Sequence, residues 1–301
     1  MIFDDVSLKN YKSVSGSLSY ETIRVVFKQL AKMHACSLLY EEIQTQKQGK
    51  PLRIDEKYND YIQETILGSE EMNDINKLFI LGVRTNMKYI LDSFPDIPRK
   101  LTREEFKDKV MQAYKALFNE NIRKNPKFRN VLCQGDCWGG NVLIRKEDDD
   151  QFADDAYIID YQLTRYCPPA HDLLVFMYMA ATKETRQKYM SRLLRVYYQE
   201  LDDILERYDH DLKKIYAYEE FLECVEYMKY SALCISLCYM QITNYPAEKM
   251  MELMKDEERT TYAFSIDRKE LMEEFEKEGP YRHRIKEIVE DLYKVCENDS
   301  I

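Results

Sequence analysis

Glycine and proline are scarce in this chain, with eight of each in 301 residues. Few helix breakers favour a helical protein, and no G-x-G-x-x-G phosphate-binding run occurs anywhere. Positive charge is also in deficit. Lys and Arg number 44 against 54 Asp and Glu, for a net charge of −10. Nucleic-acid binding rests on neutralising phosphates with Lys and Arg, and no basic stripe with interleaved aromatics offsets the deficit, so nucleic-acid partners are excluded. Long apolar runs are missing too. The longest uncharged stretch, Tyr230 to Ala247, carries Gln241, Asn244 and Pro246 and reads as a buried helix rather than a membrane span. No signal peptide opens the chain, since Met1-Ile2-Phe3 runs straight into Asp4-Asp5, and the expected location is the cytoplasm. There is no internal repeat and no low-complexity segment.

Cysteine is present but not in a metal or disulfide pattern. Cys133/Cys137 and Cys234/Cys238 are each four apart, unlike the C-x-x-C of zinc knuckles, and they read as reduced thiols, the second pair packed in a core. What the chain does have is apolar material, 45% of its residues, enough for a core in one large or two modest domains. Its 24 tyrosines suit half-buried helix positions with a wet hydroxyl.

The chemistry concentrates between Val131 and Asp172. An apolar run, Val131 to Cys133, leads into Gln134-Gly135-Asp136, and Asn141 follows Asp136 by five residues. Val142-Leu143-Ile144 comes next, then an acidic loop, then Tyr157-Ile158-Ile159 ending at Asp160. Two short β-rich runs around a polar turn predict a hairpin. It sets Asn141 before one strand and Asp160 after the other, so an amide oxygen and a carboxylate can converge on one Mg²⁺, a hard cation that shares oxygen ligands with nucleotide phosphates. Asp136, on the loop before the hairpin, then faces a substrate hydroxyl. A loop Asp to accept the hydroxyl proton, with an Asn and an Asp on the metals, is the set kinase-type phosphoryl transfer needs.

An Asp, four residues and an Asn, then a hairpin to Asp-aromatic-Gln, resembles the kinase-like fold of the choline and aminoglycoside kinases. The fuller pattern of GDCWGGN, IIDYQLTRY and PPAHDLLVF resembles the ecdysteroid kinase-like family, also called CHK kinase-like proteins. The resemblance implies a catalytic base at Asp136 and metal ligands at Asn141 and Asp160. It implies a supporting role for Asp172, whose carboxylate accepts hydrogen bonds from catalytic-loop backbone. Gln134 stands where the family usually has His, a change that keeps one donor and one acceptor. Gly139 and Gly140 replace bulkier residues, which predicts a loop less preorganised before metal binds.

The same resemblance makes Met1-Ile2-Phe3 the end of a last N-lobe strand and Asp4-Asp5-Val6 a hinge, with Phe3 and Asp5 at the adenine of ATP. It implies a small β-lobe upstream with the phosphate-covering loop and a strand-borne Lys. The expectation is therefore a mostly helical α+β chain, a protein-kinase-like C-terminal lobe with a small embedded β-hairpin. Residues 1–18 are the hinge remnant, 19–296 the lobe with catalytic loop and metal hairpin at 131–172, and 297–301 a frayed tail. A lobe without its partner is expected to be weak or inactive alone and prone to self-association through the exposed face.

Helix signals fill the remainder. Ser19 N-caps a helix to Tyr40 whose apolar face is Ile23, Val26, Phe27, Leu30, His34 and Leu38, with His34 a satisfied core histidine. Glu41 to Lys57 reads as a charged loop, Tyr58 to Leu91 as one or two helices broken near Gly68-Ser69, and Thr102 with Glu105 as a capping box. Glu147 to Asp155 reads as a solvated hairpin tip. Helices follow over Leu173–Ala181, Glu184–Tyr208, Tyr218–Tyr245 and Arg284–Cys296. Tyr189, Leu193, Val196, Tyr197, Leu201 and Ile204 share one face of the second, and Met250, Met251, Leu253 and Met254 form a stripe. Two functions stay open: ATP- and Mg²⁺-dependent phosphorylation of a small-molecule hydroxyl, steroid-like or otherwise lipophilic, and a non-catalytic binding or regulatory module that keeps the loop.

Overall fold

A computed structural model describes residues 5–14, 16–62, 74–97, 100–117, 126–146, 153–264 and 268–298, with 74–80 as backbone. In chain order the elements are β1 (Tyr11–Ser13), α1 (Tyr20–Gln48), α2 (Ile54–Lys57), α3 (Asp74–Asp92) and α4 (Arg103–Ala116). Next come β2 (Val131–Cys133), β3 (Val142–Arg145), β4 (Asp155–Ile158), β5 (Arg165–Cys167), α5 (Ala170–Ala180) and α6 (Lys183–Glu206). The chain closes with α7 (Leu212–Ile215), α8 (Tyr218–Thr243), α9 (Ala247–Leu253), α10 (Glu257–Phe264), α11 (Lys269–Phe275) and α12 (Pro280–Asn298). The class is α+β and mostly α, as expected. Residues 1–65 with 121–228 form one compact unit, and 66–120 with 229–301 form another.

The first unit is built on α1. The Ser19 side chain accepts from Thr22 N at its N-terminus, and Gly49 closes the far end in the left-handed region, φ 67°, with its N–H on Thr45 O. The helix therefore runs through the stretch expected to be a loop, and α2 follows within it. The misreading has a physical cause: past Tyr40 the helix carries long polar side chains on its open side and needs no apolar period. Ile23, Val26, Phe27, Leu30 and Leu38 are fully buried on α1. They pack against α5, α6 and the strands β2 and β4. Helix α5 is buried at every position, a helix apolar on all sides. On α6 the buried face is Leu193, Leu194, Tyr197, Tyr198, Leu201 and Leu205, and Val196, Ile204 and Tyr189 are only half-buried, a rotation from the expected stripe.

Two small antiparallel sheets complete this unit. The expected hairpin is there as β3–β4, with Val142 opposite Ile158 and Arg145 opposite Asp155. Strand β4 begins two residues before the expected Tyr157, at Asp155, whose carboxylate accepts from Tyr11 Oη and Gln29 Nε2. Asp154 pairs with Arg145. The residues of the hairpin tip at 147–152 lie outside the described residues. The hairpin carries a third strand that the sequence reading lacks: β1 pairs with β3, Tyr11 opposite Arg145. A second sheet joins β2 to β5, Val131 opposite Cys167 and Cys133 opposite Arg165.

The second unit holds α3, α4 and the helices after residue 229. The capping box at Thr102 and Glu105 forms with both bonds in place. Phe106 on α4 meets Tyr293 on α12 edge to face at 5.2 Å. The α12 core is Ile285, Ile288, Val289 and Leu292, all fully buried. Arg268, fully buried, donates from Nη1 to Gln241 Oε1 at 2.9 Å, and burial pulls its pKa down to about 10. Of the expected methionine stripe, Met251 and Met254 face solvent while Leu253 is buried. The expected break near Gly68-Ser69 and the end of α4 beyond Leu117 lie outside the described residues. No helix among the described residues is long and apolar enough to cross a membrane.

Candidate active site

Strand β2 delivers the chain into the loop Gln134 to Trp138, and the loop is held from beneath by Asp172 on α5. The Asp172 carboxylate accepts from Gln134 N on Oδ2, 2.7 Å, and from Gly135 N on Oδ1, 3.0 Å. On its other side His34 Nε2 lies 3.3 Å from Oδ2, and His34 Nδ1 lies 2.9 Å from Tyr197 Oη. A carboxylate only accepts, so the His34 proton sits on Nε2 and Tyr197 donates to Nδ1. Burial alone drives the Asp172 carboxyl upward, but the His34 bond, the charges of His34 and His171 and the loop N–H groups outweigh it and hold the pKa below the usual carboxylate value. His34 is thus a satisfied core histidine, as the apolar face suggested.

Gly135 sits at φ 86°, and a Cβ there would lie 1.9 Å from Leu163 O. Only glycine fits this turn. His171, which the sequence reading passed over, closes it from the other side, with Nε2 3.4 Å from Gly135 O. The signal was the His-Asp pair opening an apolar helix.

Gln134 is fully buried and uses both ends of its amide. Oε1 accepts from Asp136 N at 2.8 Å, and Nε2 donates to Ile159 O at 3.0 Å and to Asp160 O at 2.7 Å. One side chain therefore ties the loop that carries Asp136 to the strand end that carries Asp160. A neutral imidazole has one donor and one acceptor and cannot make all three bonds with ordinary geometry.

Asn141 closes a one-turn 3₁₀ segment, Gly139–Asn141, and is buried. Its Nδ2 donates to Asp136 O at 2.9 Å and to Asp136 Oδ2 at 3.0 Å. Its carbonyl accepts from Ile159 N at 3.0 Å, which places Asp160 one residue beyond the pair. Asp160 is exposed and takes the left-handed region, φ 58° and ψ 71°, a conformation Asp tolerates better than most residues. The three predicted residues come together on one loop and one hairpin mouth. Burial pushes the Asp136 carboxyl up to about 6, Asn141 pulls against that, and the Asp160 charge adds to the rise. Gly140 is where the Trp138 ring lies: a Cβ there would meet the ring at 2.3 Å.

The donor set suits a hard cation. The Asn141 amide nitrogen is spent on Asp136, so the end it offers is oxygen, and the exposed Asp160 carboxylate offers oxygen beside it. Asp5 caps the 3₁₀ turn Val6–Lys9 through Ser7 and is exposed, its carboxyl lowered by the Ser7 hydrogen bonds. Phe3, the other expected adenine contact, lies outside the described residues.

The ecdysteroid kinase-like family model matches residues 1–210. The chain belongs to the ecdysteroid kinase-like family. Membership makes it a small-molecule kinase-like phosphotransferase by family, in a group that generally uses ATP and Mg²⁺. A comparison with curated proteins found no match. The match ends at residue 210, so within this ecdysteroid kinase-like chain it takes in the loop, the hairpin, Asp172 and α6 and leaves α8 to α12 outside.

Proposed function

We propose that this chain transfers the γ-phosphoryl group of ATP to the hydroxyl of a lipophilic small molecule, with steroid-like alcohols as the substrate class. One observation carries the reading. Asn141 holds Asp136 through its nitrogen while its oxygen and the Asp160 carboxylate are left for a cation. A bound Mg²⁺ supplies charge neutralisation for the phosphates. Asp136 orients the acceptor hydroxyl and takes its proton as the new P–O bond forms and the bond to the ADP oxygen breaks. Gln134 and Asp172 keep the loop in register, and preorganisation of this sort is most of what a phosphotransferase contributes. Leu143 and Tyr157 face each other across the hairpin, half-buried and exposed, and Ile159 is exposed beside Asp160, which suits an apolar floor for a nucleotide base.

The test is an ATP-dependent phosphorylation assay on a panel of steroid alcohols, read as ADP release and as phosphorylated product. Asp136→Asn is expected to lower kcat by roughly 10²–10⁴-fold with the KM for ATP little changed. Asp160→Ala is expected to abolish Mg²⁺-dependent nucleotide binding. Wild-type protein that binds Mg·ATP yet phosphorylates no alcohol in the panel replaces this reading with a non-catalytic binding module.

A further inference from the structure

Within the first unit, at the end of β2 away from the catalytic loop, lies a cavity of about 390 Å³ that the phosphotransferase reading does not use. Its walls include Glu41 from α1, Arg53 from the turn before α2, Arg129 and Asn130 leading into β2, Tyr166 from β5 and Glu220 from α8. Strand direction separates it from Asp136. Asn130 immediately precedes Val131, and the loop begins after Cys133 at the other end of the same strand.

The wall is charged in both signs. Much of that charge is spoken for internally. Glu41, buried, accepts from Ile54 N at 2.8 Å and Tyr166 Oη at 2.7 Å on Oε1, and from Arg129 Nη2 at 3.0 Å on Oε2. Glu42 accepts from the same Arg129 Nη2 at 2.9 Å, and Glu220 accepts from Arg129 N at 3.3 Å. The Arg53 guanidinium stands over the Tyr166 ring, 5.6 Å from its centroid.

Two wall atoms remain without a partner among the described residues: Arg129 Nε, a donor, and Asn130 Oδ1, an acceptor. Asn130 is 4% exposed, so its acceptor has no bulk water to turn to. A buried polar atom left unpaired is costly, and a folded protein keeps one where something else completes it. The two orphans are of opposite kind and sit on adjacent residues of a cavity within the size range of small-molecule sites. Lining cations (Arg53, Lys127, Arg129) equal lining carboxylates (Glu41, Glu42, Glu220), so the wall selects for neither a net anion nor a net cation.

We infer that this cavity is a second, non-catalytic ligand site, for a small zwitterion of the free amino-acid class. The ligand carboxylate takes the Arg129 Nε proton beside Arg53. The ligand ammonium donates to Asn130 Oδ1, with Glu42 and Glu220 as its counter-charges. Ordered water alone is the competing occupant, since a polar cavity of this size also suits a water cluster.

The experiment is calorimetric titration of the full chain with the twenty proteinogenic amino acids as probes. Each binder is then compared with its decarboxylated amine and its deaminated acid. At least one zwitterion is expected to bind, and either truncated analogue to bind at least tenfold more weakly. Asn130→Ala removes the orphan acceptor without removing any bond, so its melting temperature should match the wild type while its affinity falls at least tenfold. Arg53→Gln, at the half-buried rim, should weaken the same ligands and guards against a packing effect of the first variant. Asp136→Asn should leave the titration unchanged, which keeps this site distinct from the catalytic one. No heat from any of the twenty at millimolar concentration, amines or acids binding as well as zwitterions, or full binding in Asn130→Ala would each overturn the inference in favour of a water-filled cavity.

Discussion

At the scale of single residues, Asp172 shows how a site can rest on a group that does no chemistry. Its two oxygens each take one loop N–H, Gln134 N and Gly135 N, and the bonds are charge-assisted and buried. Asp172→Asn keeps the shape but replaces one acceptor with an NH₂ that must face an N–H. The expected loss is about 2–3 kcal/mol in denaturant-derived stability, the range for a buried donor left unsatisfied beside a lost charged hydrogen bond. The pH dependence follows from the lowered pKa. A carboxyl whose folded pKa lies below its unfolded value of about 3.9 contributes stability that is complete above that value and is lost as pH falls through the folded one. His34, His171 and the thiol of Cys133 are the other titratable groups around it. Wild type should therefore lose stability below pH 4 more steeply than Asp172→Asn, and parallel acid limbs would show that the charge contributes nothing. Gly135 is the companion case. A Cβ at 1.9 Å from a backbone oxygen cannot be relieved by a rotamer, so Gly135→Ala should displace the whole loop.

Between elements, the joint that matters is Gln134, because β2 and the end of β4 have no other printed bond between their loop segments than its amide. Gln134→Ala is expected to destabilise the protein by about 1–3 kcal/mol and to raise hydrogen exchange at Asp136 N. Gln134→His, with one donor and one acceptor, should fall between the two. An alanine variant as stable as wild type would show that water replaces the amide fully. The sequence carried the parts of this arrangement unevenly. Asp136, Asn141 and Asp160 were legible because a fixed spacing and two short apolar runs are local signals. Helix α1 was legible at its start, where the Ser19 cap and a helical period coincide, and not at its end, where Gly49 closes a turn of exposed polar residues. Strand β1 was illegible: Tyr11-Lys12-Ser13 has no alternation and exists only because β3 offers it an edge. The β2–β5 pairing and the tie from His34 through Asp172 to the loop join residues far apart in sequence, and periodicity does not see such contacts. Asp172 was placed by family resemblance, and its partner His34 by its apolar neighbours alone.

For the whole molecule the deciding quantity is charge. The net charge is −10 and the sequence pI about 5.2, so at pH 7.5 the folded chain repels itself. Against that stand many ion pairs, but those such as Lys127–Glu223, Lys214–Asp211 and Lys269–Glu273 are exposed at both ends and contribute about 0–1 kcal/mol each. The pair Glu41–Arg129 is mostly buried and little screened by salt. Salt therefore weakens two opposed surface terms, and the repulsion is the larger, because it sums over all charges while each exposed pair is nearly neutral in its own effect. Raising NaCl from 0.05 to 0.5 M at pH 7.5 should raise the melting temperature by on the order of 1–3 °C, the shift that corresponds to about half a kcal/mol or slightly more in a chain of this length. Near the pI the net repulsion vanishes and the same change of salt should leave the melting temperature flat or slightly lower. A fall with salt at pH 7.5 would mean that the exposed pairs, taken together, hold the molecule more strongly than its excess of carboxylates pushes it apart.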